Sequence, residues 1–276
     1  MSFSISGKTA IVTGAANGVG LAIARHFAAE GANVMGADMD EKRLIEEFGE
    51  NPEADEVSSD SSGSIRYFAG DLREKLTIAN LLSATVDAYD TVDILINASR
   101  QVLPTDPLDC HDTSVETLLE QNLLSGLRLS QQVAARMIRQ GEDDPEGDGP
   151  LGVIINISST AATRTNTDLL GFSVASAALD QATRSLAVAL APKRVRVNAV
   201  AFGSVMSASL RDGLRTAPKI REIIEKVTPL GRIASAAEVA EAAQFLASDG
   251  AGFITGEILC VDGGRGLVDA VASPLH

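Results

Sequence analysis

The sequence has few of the residues that build metal centres, disulfides and membrane spans. Its 276 residues include two cysteines and three histidines, and Cys110 and Cys260 stand in no metal-binding or redox spacing. No two histidines stand in metal-ligand spacing, so we expect no metal site. No apolar run approaches the ~20 residues that cross a bilayer, and Met1 to Lys8 lacks the charged start and apolar centre of a signal peptide. These absences predict a reduced cytoplasmic protein without a membrane partner.

Basic residues are also scarce relative to acidic ones. The chain has 23 Lys and Arg against 37 Asp and Glu, a net charge of −14. Such a surface repels phosphate backbones, which argues against a nucleic-acid partner. With 45% hydrophobic residues and no linker, residues 1–276 are predicted to form a single domain. Two acidic stretches rich in Ser, Gly or Pro, 50–64 and 141–149, are predicted to be solvated surface insertions.

Apolar, β-rich runs alternate with helical stretches along the chain. Almost every run is continuously apolar, as expected for strands covered by helices on both faces of a parallel sheet. The pattern predicts a doubly wound, Rossmann-type α/β fold with about seven strands. The predicted strands are Thr9–Thr13, Asn33–Ala37, Ile65–Ala69, Val92–Asn97, Val153–Ile157, Val195–Ala201 and Ile258–Val261.

A glycine-rich loop joins the first predicted strand to the first helix. Glycines stand at 14, 18 and 20 in the segment AIVTGAANGVG, directly before the helical pattern that begins at Leu21. Glycine permits a sharp turn after a strand and a close approach of the backbone to a diphosphate, whose charge then lies at the positive end of the helix. The strand before and the helix after the loop favour a dinucleotide site over an ordinary turn.

Motifs over nearly the whole chain resemble the short-chain dehydrogenase/reductase family, particularly the branch with β-ketoacyl carrier-protein reductases and hydroxysteroid dehydrogenases. The matching segments, in order, are TGAANGVG (13–20), Asp71 in AGDL, Asn122 in QNLLSG, INISS (155–159), RVNAVAFG (196–203) and PLGRIASAAEVAEAAQFLASDGAGFITGEILCVDGG (229–264).

The resemblance implies a nicotinamide dinucleotide cofactor. Asp38, at the end of the second strand, corresponds to the family's acid that binds both adenosine ribose hydroxyls, so NAD is favoured over NADP. Asn17 offers no cation to a 2′-phosphate. Asp38 has an alternative interpretation as a turn or helix-cap residue. The implied cofactor-binding residues are Gly14, Ala16, Asn17, Gly18, Val19, Gly20, Asp38, Asp71, Leu72, Asn97, Ala98, Ser99, Gly203, Val205 and Ser207.

The residues that the family uses for proton transfer are not matched. The resemblance places the catalytic serine at Ser159 and the active-site asparagine at Asn122, but the tyrosine and lysine positions fall on Phe172 and Ser176. The only tyrosines, 67 and 89, are each followed four residues later by aspartate, so the chain has no YxxxK. Phenylalanine has no titratable group, and such a group is typically worth ~10²–10⁴ in rate.

Two further departures surround the same expected centre. Arg100 replaces a glycine of the family's NNAG segment, and Phe202 replaces the proline before Gly203. Together with Phe172 and Ser176, they indicate a homologue that has lost catalysis. Arg100 has the alternative interpretation of a side chain that simply faces solvent.

Three functions remain open on the sequence. The first is a non-catalytic structural or regulatory subunit, alone or in a mixed oligomer with an active paralogue. The second is an NAD(H)-dependent oxidoreductase for a hydroxy or keto substrate, such as a hydroxyacyl thioester or steroid, that uses a substitute proton donor. Candidate donors are Ser159, a group of the substrate and a residue of a neighbouring chain. The third is an NAD-sensing module.

Two helices carry more apolar surface than one face of a sheet can hide, and we expect a homodimer or homotetramer through them. They are Thr113–Gln140, with Leu118, Leu119, Leu123, Leu127 and Val133, and Phe172–Leu190, with Ala177, Ala178, Ala182, Leu186 and Ala189.

Overall fold

A computed structural model describes residues 3–49, 63–143, 149–216 and 219–269. Seven parallel strands form one sheet in the order β3-β2-β1-β4-β5-β6-β7. Their bounds are β1 Thr9–Thr13, β2 Asn33–Asp38, β3 Ile65–Ala69, β4 Ile94–Asn97, β5 Gly152–Ser159, β6 Val195–Phe202 and β7 Ile258–Val261. The predicted doubly wound fold is therefore confirmed, with strand ends that differ by one or two residues.

Strand β4 begins two residues later than predicted, at Ile94 instead of Val92. Val92 is apolar and was predicted to open the strand, but its N–H donates to the side-chain oxygen of Gln140 at 3.0 Å. The Gln140 amide in turn donates to the Val92 carbonyl at 3.1 Å. Because this side chain satisfies both backbone groups, the regular strand begins only at Ile94.

Nine α-helices connect or follow the strands within the described residues. Their bounds are α1 Gly18–Ala29, α2 Glu41–Phe48, α3 Lys75–Tyr89, α4 Ser114–Leu119, α5 Ser125–Gln140, α6 Leu170–Leu190, α7 Ala208–Thr216, α8 Lys219–Val227 and α9 Ala236–Ala247. Helices α1, α2 and α9 contribute to the core on one face, including Phe27 and Leu44. Helices α3, α5 and α6 contribute to the other, including Leu81 and Leu129.

The long helix predicted over Thr113–Gln140 is interrupted by one wide turn. Residues Glu120–Leu124 form a π-helical turn between α4 and α5. Such a turn holds an extra residue and re-aims a side chain. Here Asn122 lies within it and bonds the backbone of Gln101. The second predicted helix begins at Leu170, two residues earlier than expected.

Part of the apolar surface assigned to an oligomer interface belongs to the chain's own core. Leu118 and Val133 are fully buried, so this part of the prediction was wrong. Their burial follows from packing against α6 and the sheet, which periodicity alone does not orient. On α6, Val174 and Val188 are 41% and 78% exposed, so this helix does present apolar surface to solvent.

The two predicted insertions lie largely outside the described residues, at 50–62 and 144–148. Within the described part of the chain, no helix is long and apolar enough to cross a membrane. The same residues contain no group of three His, Cys, Asp or Glu side chains that could hold a metal ion.

Candidate functional site

The three glycines of the first loop lie at the carboxyl edge of the sheet, and they differ in backbone conformation and in the space around them. Gly14 has a φ of +66°, and a Cβ there would lie 2.9 Å from the backbone of Ser99. At Gly20 a Cβ would lie 2.2 Å from the Gly14 carbonyl oxygen. Gly18 has a φ of +58° and open space where its Cβ would be. The loop is thus packed on the protein side and open at Gly18.

Helix α1 begins at this open side without a side-chain cap. Asn17 is the N-cap residue, but its side chain accepts no hydrogen bond from the first turn. The first backbone N–H groups of a helix have no partner within the helix, and they bind anions well. The loop residues therefore fit the diphosphate of a dinucleotide, and their role in binding it stays a prediction.

Strand β1 is tied to the end of β4 by one hydroxyl. The Oγ1 atom of Thr13 accepts hydrogen bonds from the N–H groups of Ala98 and Ser99, at 2.9 and 3.0 Å. These strands flank the point where the strand order reverses, which is where dinucleotides bind in such sheets. Thr13 therefore positions two predicted cofactor residues, a role that the sequence analysis did not assign to it.

Asp38 links the end of β2 to the glycine loop. Its Oδ2 accepts from the N–H of Ala16 at 3.1 Å, and its Oδ1 accepts from the N–H of Asp40 at 3.1 Å. Asp40, not Asp38, is the N-cap of α2 and accepts from the N–H of Arg43. The alternative of Asp38 as this helix cap is therefore wrong, whereas its local turn bond to Asp40 is present.

Asp71 forms an ion pair within its own loop. Both carboxylate oxygens accept hydrogen bonds from the Arg73 guanidinium, at 2.5 to 3.0 Å. This bonding holds the pKa of Asp71 below its usual value. As a cofactor-binding residue, the role that the family resemblance implies, Asp71 would share its oxygens between Arg73 and the ligand.

Asn97 is buried at the pocket, and its side-chain amide bonds other parts of the protein. Its amide donates to Ser130 at 2.9 Å and to the Oδ1 of Asn156 at 2.8 Å. Asn156 in turn donates to Thr183 at 2.8 Å. This buried chain of polar groups joins β4, β5, α5 and α6, and it leaves the Asn97 Oδ1 without a partner.

The residues after β5 and β6 make local backbone bonds. The Oγ of Ser159 accepts from the N–H of Ala161 at 3.1 Å. Ser207 accepts from the N–H of Leu210 at 3.1 Å at the start of α7. Val205 is buried and pairs with Ala234. Ser159 and Ser207 are thus placed at the carboxyl edge, and both hydroxyls retain a free donor for a ligand.

Arg100 extends from the loop after β4 onto two aromatic rings. Its guanidinium carbon lies 4.1 Å from the ring centre of Phe202 and 5.9 Å from that of Phe172. Burial lowers the pKa of Arg100 to about 10, which still leaves the side chain positively charged at neutral pH. The alternative that Arg100 merely faces solvent is therefore wrong.

Phe172 and Ser176 lie one turn apart on α6, and both are buried. The Ser176 hydroxyl donates to the Phe172 carbonyl at 2.7 Å. One turn further, Asp180 accepts a hydrogen bond from Ser158 at 2.5 Å. Burial raises the pKa of Asp180, while the bond from Ser158 opposes the shift. No sequence pattern pointed to this pair, because Ser158 and Asp180 are 22 residues apart and meet only through the packing of α6 on β5.

One pocket at the carboxyl edge brings together part of these residues, whereas Asp38, Ser159 and Ser207 do not line it. It is bounded by Arg100 and Phe172 and otherwise by apolar, hydroxyl and amide groups. Its polar neutral residues include Asn97, Ser99, Asn122, Ser125, Ser158 and Ser176. Both polar atoms of the Asn122 side chain are hydrogen-bonded. The oxygen accepts from the Gln101 N–H and the nitrogen donates to the Gln101 carbonyl, each at 2.8 Å.

Comparison with known proteins identifies the class. A family profile described as enoyl-(acyl carrier protein) reductase matches residues 14–265. The chain is 30% identical to 7alpha-hydroxysteroid dehydrogenase of Escherichia coli K12 over 94% of each chain. It is 32% identical to 3-oxoacyl-(acyl-carrier-protein) reductase of the same strain, over 96% of this chain and all of the other.

Solved structures agree with these relatives. A 7alpha-hydroxysteroid dehydrogenase complexed with NADH and 7-oxo glycochenodeoxycholic acid superposes with a TM-score of 0.83 at 29% identity, covering 95% of this chain and 96% of that one. The chain belongs to the short-chain dehydrogenase/reductase family, an oxidoreductase family. No comparison tests which positions correspond to the family's tyrosine and lysine, so the assignment of Phe172 and Ser176 stays a prediction.

Proposed function

We propose that this chain is an NAD(H)-dependent oxidoreductase that acts on a hydroxy or keto substrate with a proton donor other than a Tyr-Lys pair. The observation that carries the proposal is the glycine loop, which is open at Gly18, lies beside an uncapped helix and is bonded to Asp38. Dehydrogenase and reductase relatives over almost the full chain support activity better than its absence. Their names suggest hydroxyacyl thioesters and steroids as substrate classes.

In this function, different residues of the chain would bind the cofactor and transfer the proton. The N–H groups at the start of α1 bind the diphosphate, and the carboxylate of Asp38 accepts hydrogen bonds from the adenosine ribose hydroxyls. The same carboxylate repels a 2′-phosphate, which favours NAD over NADP. The bound dinucleotide supplies a hydride acceptor or donor. Ser159, which corresponds to the family's catalytic serine, is one candidate for proton transfer, alongside a group of the substrate and a residue of a neighbouring chain.

A second function is favoured by one specific observation. Phe172 and Ser176, the predicted tyrosine and lysine positions, provide no titratable group and no cation. A chain without either would serve as a non-catalytic subunit, alone or in a mixed oligomer with an active paralogue. Cytoplasmic location and the absence of nucleic-acid and membrane partners remain predictions from composition.

Two measurements on the full chain separate these functions. Nicotinamide fluorescence with NADH and NADPH tests cofactor binding, and we expect tighter binding of NADH. Turnover is then followed with β-ketoacyl thioesters, steroids and sugar alcohols, where rates of about 1–10³ s⁻¹ are usual for enzymes. Turnover supports the oxidoreductase, whereas NADH binding without turnover supports the non-catalytic or NAD-sensing functions. No binding of either nucleotide contradicts the proposal.

A further inference from the structure

Arg100 is a cation without a carboxylate partner in a strongly acidic chain. The chain has 37 acidic residues and a net charge of −14, and arginines such as Arg73 and Arg232 pair closely with Asp71 and Glu238. Among the described residues, no side chain or carbonyl accepts a hydrogen bond from the Arg100 guanidinium, and no acidic residue lines its pocket. The guanidinium lies close to the rings of Phe202 and Phe172.

The loop that carries Arg100 is anchored on both sides. The Ser99 N–H donates to Thr13 at 3.0 Å, and the Ser99 hydroxyl accepts from Gln121 at 3.1 Å. Gln101 exchanges two hydrogen bonds of 2.8 Å with Asn122. These bonds fix the backbone on both sides of Arg100, and the contacts with Phe172 and Phe202 direct its side chain. A recognition group is effective when it is held in place in this way before the ligand arrives.

The chemistry of the pocket specifies the charge of its ligand. An arginine has five N–H donors, and a partly buried cation is costly unless a charged or hydrogen-bonding partner satisfies it. The neighbouring hydroxyl and amide groups are neutral, and Phe202 covers one side of the guanidinium. The uncovered N–H groups form a planar fork that matches the two oxygens of a carboxylate.

We propose that Arg100 binds a carboxylate of the substrate, so that this site takes hydroxy or keto carboxylic acids. This inference rests on the proposed oxidoreductase function and narrows its substrate class. The carboxylate pairs with the part of the guanidinium that the Phe202 ring does not cover. The cation–π contact with Phe202 orients the guanidinium and leaves its edge for the acid.

The inference is tested with pairs of ligands that differ only in charge. We would titrate the full chain by calorimetry with lactate and propane-1,2-diol, and with 3-hydroxybutyrate and butane-1,3-diol, with and without NADH. The acids should bind at least about tenfold more tightly than the diols, because a hydrogen-bonded charge pair is typically worth that factor or more. Equal binding of acids and diols, including no binding of either, would overturn the inference.

Matched variants assign the effect to Arg100. Arg100→Gln should lower acid affinity about ten- to hundredfold and leave diol affinity unchanged. Arg139→Gln is the control. Arg139 is an exposed arginine in the last turn of α5, whereas the pocket is lined by residues from the first turns of that helix. If both variants act alike, the effect is general surface charge and the inference fails. Loss of binding of acids and diols together would assign Arg100 to the pocket's shape rather than to the carboxylate.

The design separates this inference from the proposed function. Arg100-dependent binding of acids without any NADH binding would support the carboxylate site and contradict the oxidoreductase. NADH binding with turnover of neutral alcohols, and no preference for acids, would support the oxidoreductase and contradict the carboxylate site.

Discussion

The Oδ2 atom of Asp38 accepts a hydrogen bond from the Ala16 N–H at 3.1 Å, so the end of β2 and the glycine loop are held together before any cofactor binds. The carboxylate therefore fixes the glycine loop. In the proposed function it has a second task, because it presents negative charge to the adenosine ribose of a dinucleotide.

Replacing Asp38 should affect these tasks differently. Asp38→Ala should weaken NADH binding about tenfold or more, because a hydrogen bond to a charged group is lost. It should also reduce the preference for NADH over NADPH. Asp38→Asn keeps an oxygen for the Ala16 N–H while removing the charge that repels a 2′-phosphate. Fluorescence titration of both nucleotides measures the preference. A wild-type chain that binds NADPH as tightly as NADH would contradict this role of Asp38.

The second prediction concerns the proton-transfer positions. If Phe172 and Ser176 occupy the family's tyrosine and lysine positions, the double variant Phe172→Tyr and Ser176→Lys should raise turnover by ~10²-fold or more, because it restores an acid–base group beside a cation. Steady-state kinetics with any substrate that the wild type turns over, or with the screening panel if it turns over none, provides the measurement.

The control for this experiment is Phe172→Leu with Ser176→Ala, which changes the same two sites without adding a titratable group. Thermal unfolding of both double variants checks that the buried positions tolerate the change. An unchanged rate in a folded Tyr-Lys variant would show that these positions do not serve proton transfer in this chain.

Sequence patterns predicted the sheet well because burial on both faces leaves a direct signature. Strands such as Thr9–Thr13 and Ile65–Ala69 have the predicted ends, since apolar runs end where backbone leaves the core. The π turn at Glu120–Leu124 was not predicted, because helical periodicity does not show one extra residue.

The candidate site was predictable only where local sequence decides geometry. The glycine loop is local, and the positive φ angles of Gly14 and Gly18 follow from the freedom of glycine. The direction of Arg100 depends on Phe172 and Phe202, which come from distant segments of the chain. The bond between Ser158 and Asp180 joins residues 22 positions apart, and it forms because α6 packs on β5. Such contacts are set by tertiary packing, which spacing alone does not encode.

A third prediction concerns pH and the start of α9. Arg232 donates to both carboxylate oxygens of Glu238, at 2.8 and 2.6 Å, and the Ser235 N–H adds a third bond. These bonds lower the pKa of Glu238 from its usual 4.5 to about 2. A carboxyl whose pKa is lower in the folded state stabilises the fold above the unfolded pKa and loses this contribution as pH falls. The stabilisation is therefore present above about pH 4.5 and lost toward pH 2.

Glu238→Gln should accordingly lower the thermal midpoint by about 1–3 °C at pH 7, a small effect because the pair is partly exposed to solvent. The difference from the wild type should shrink below pH 4.5. Calorimetric melts across this range give the measurement, and Lys42→Gln, which weakens an exposed ion pair of 3.8 Å with Glu46, is the control. A constant difference at all pH values would mean that the charge of Glu238 is not what stabilises the helix start.

The last prediction concerns assembly through α6. Val174 and Val188 are 41% and 78% exposed on this helix, and burying ~800 Å² per partner gives a stable interface of standard size. Light scattering should report at least twice the 28.7 kDa of one chain. Val188→Glu should shift the protein toward the monomer, because it buries an unpaired charge in the contact. Leu76→Glu, at a 74% exposed position on α3, should leave the assembly unchanged. A monomeric wild type at micromolar concentration would contradict the interface and remove the basis for a mixed oligomer through this helix.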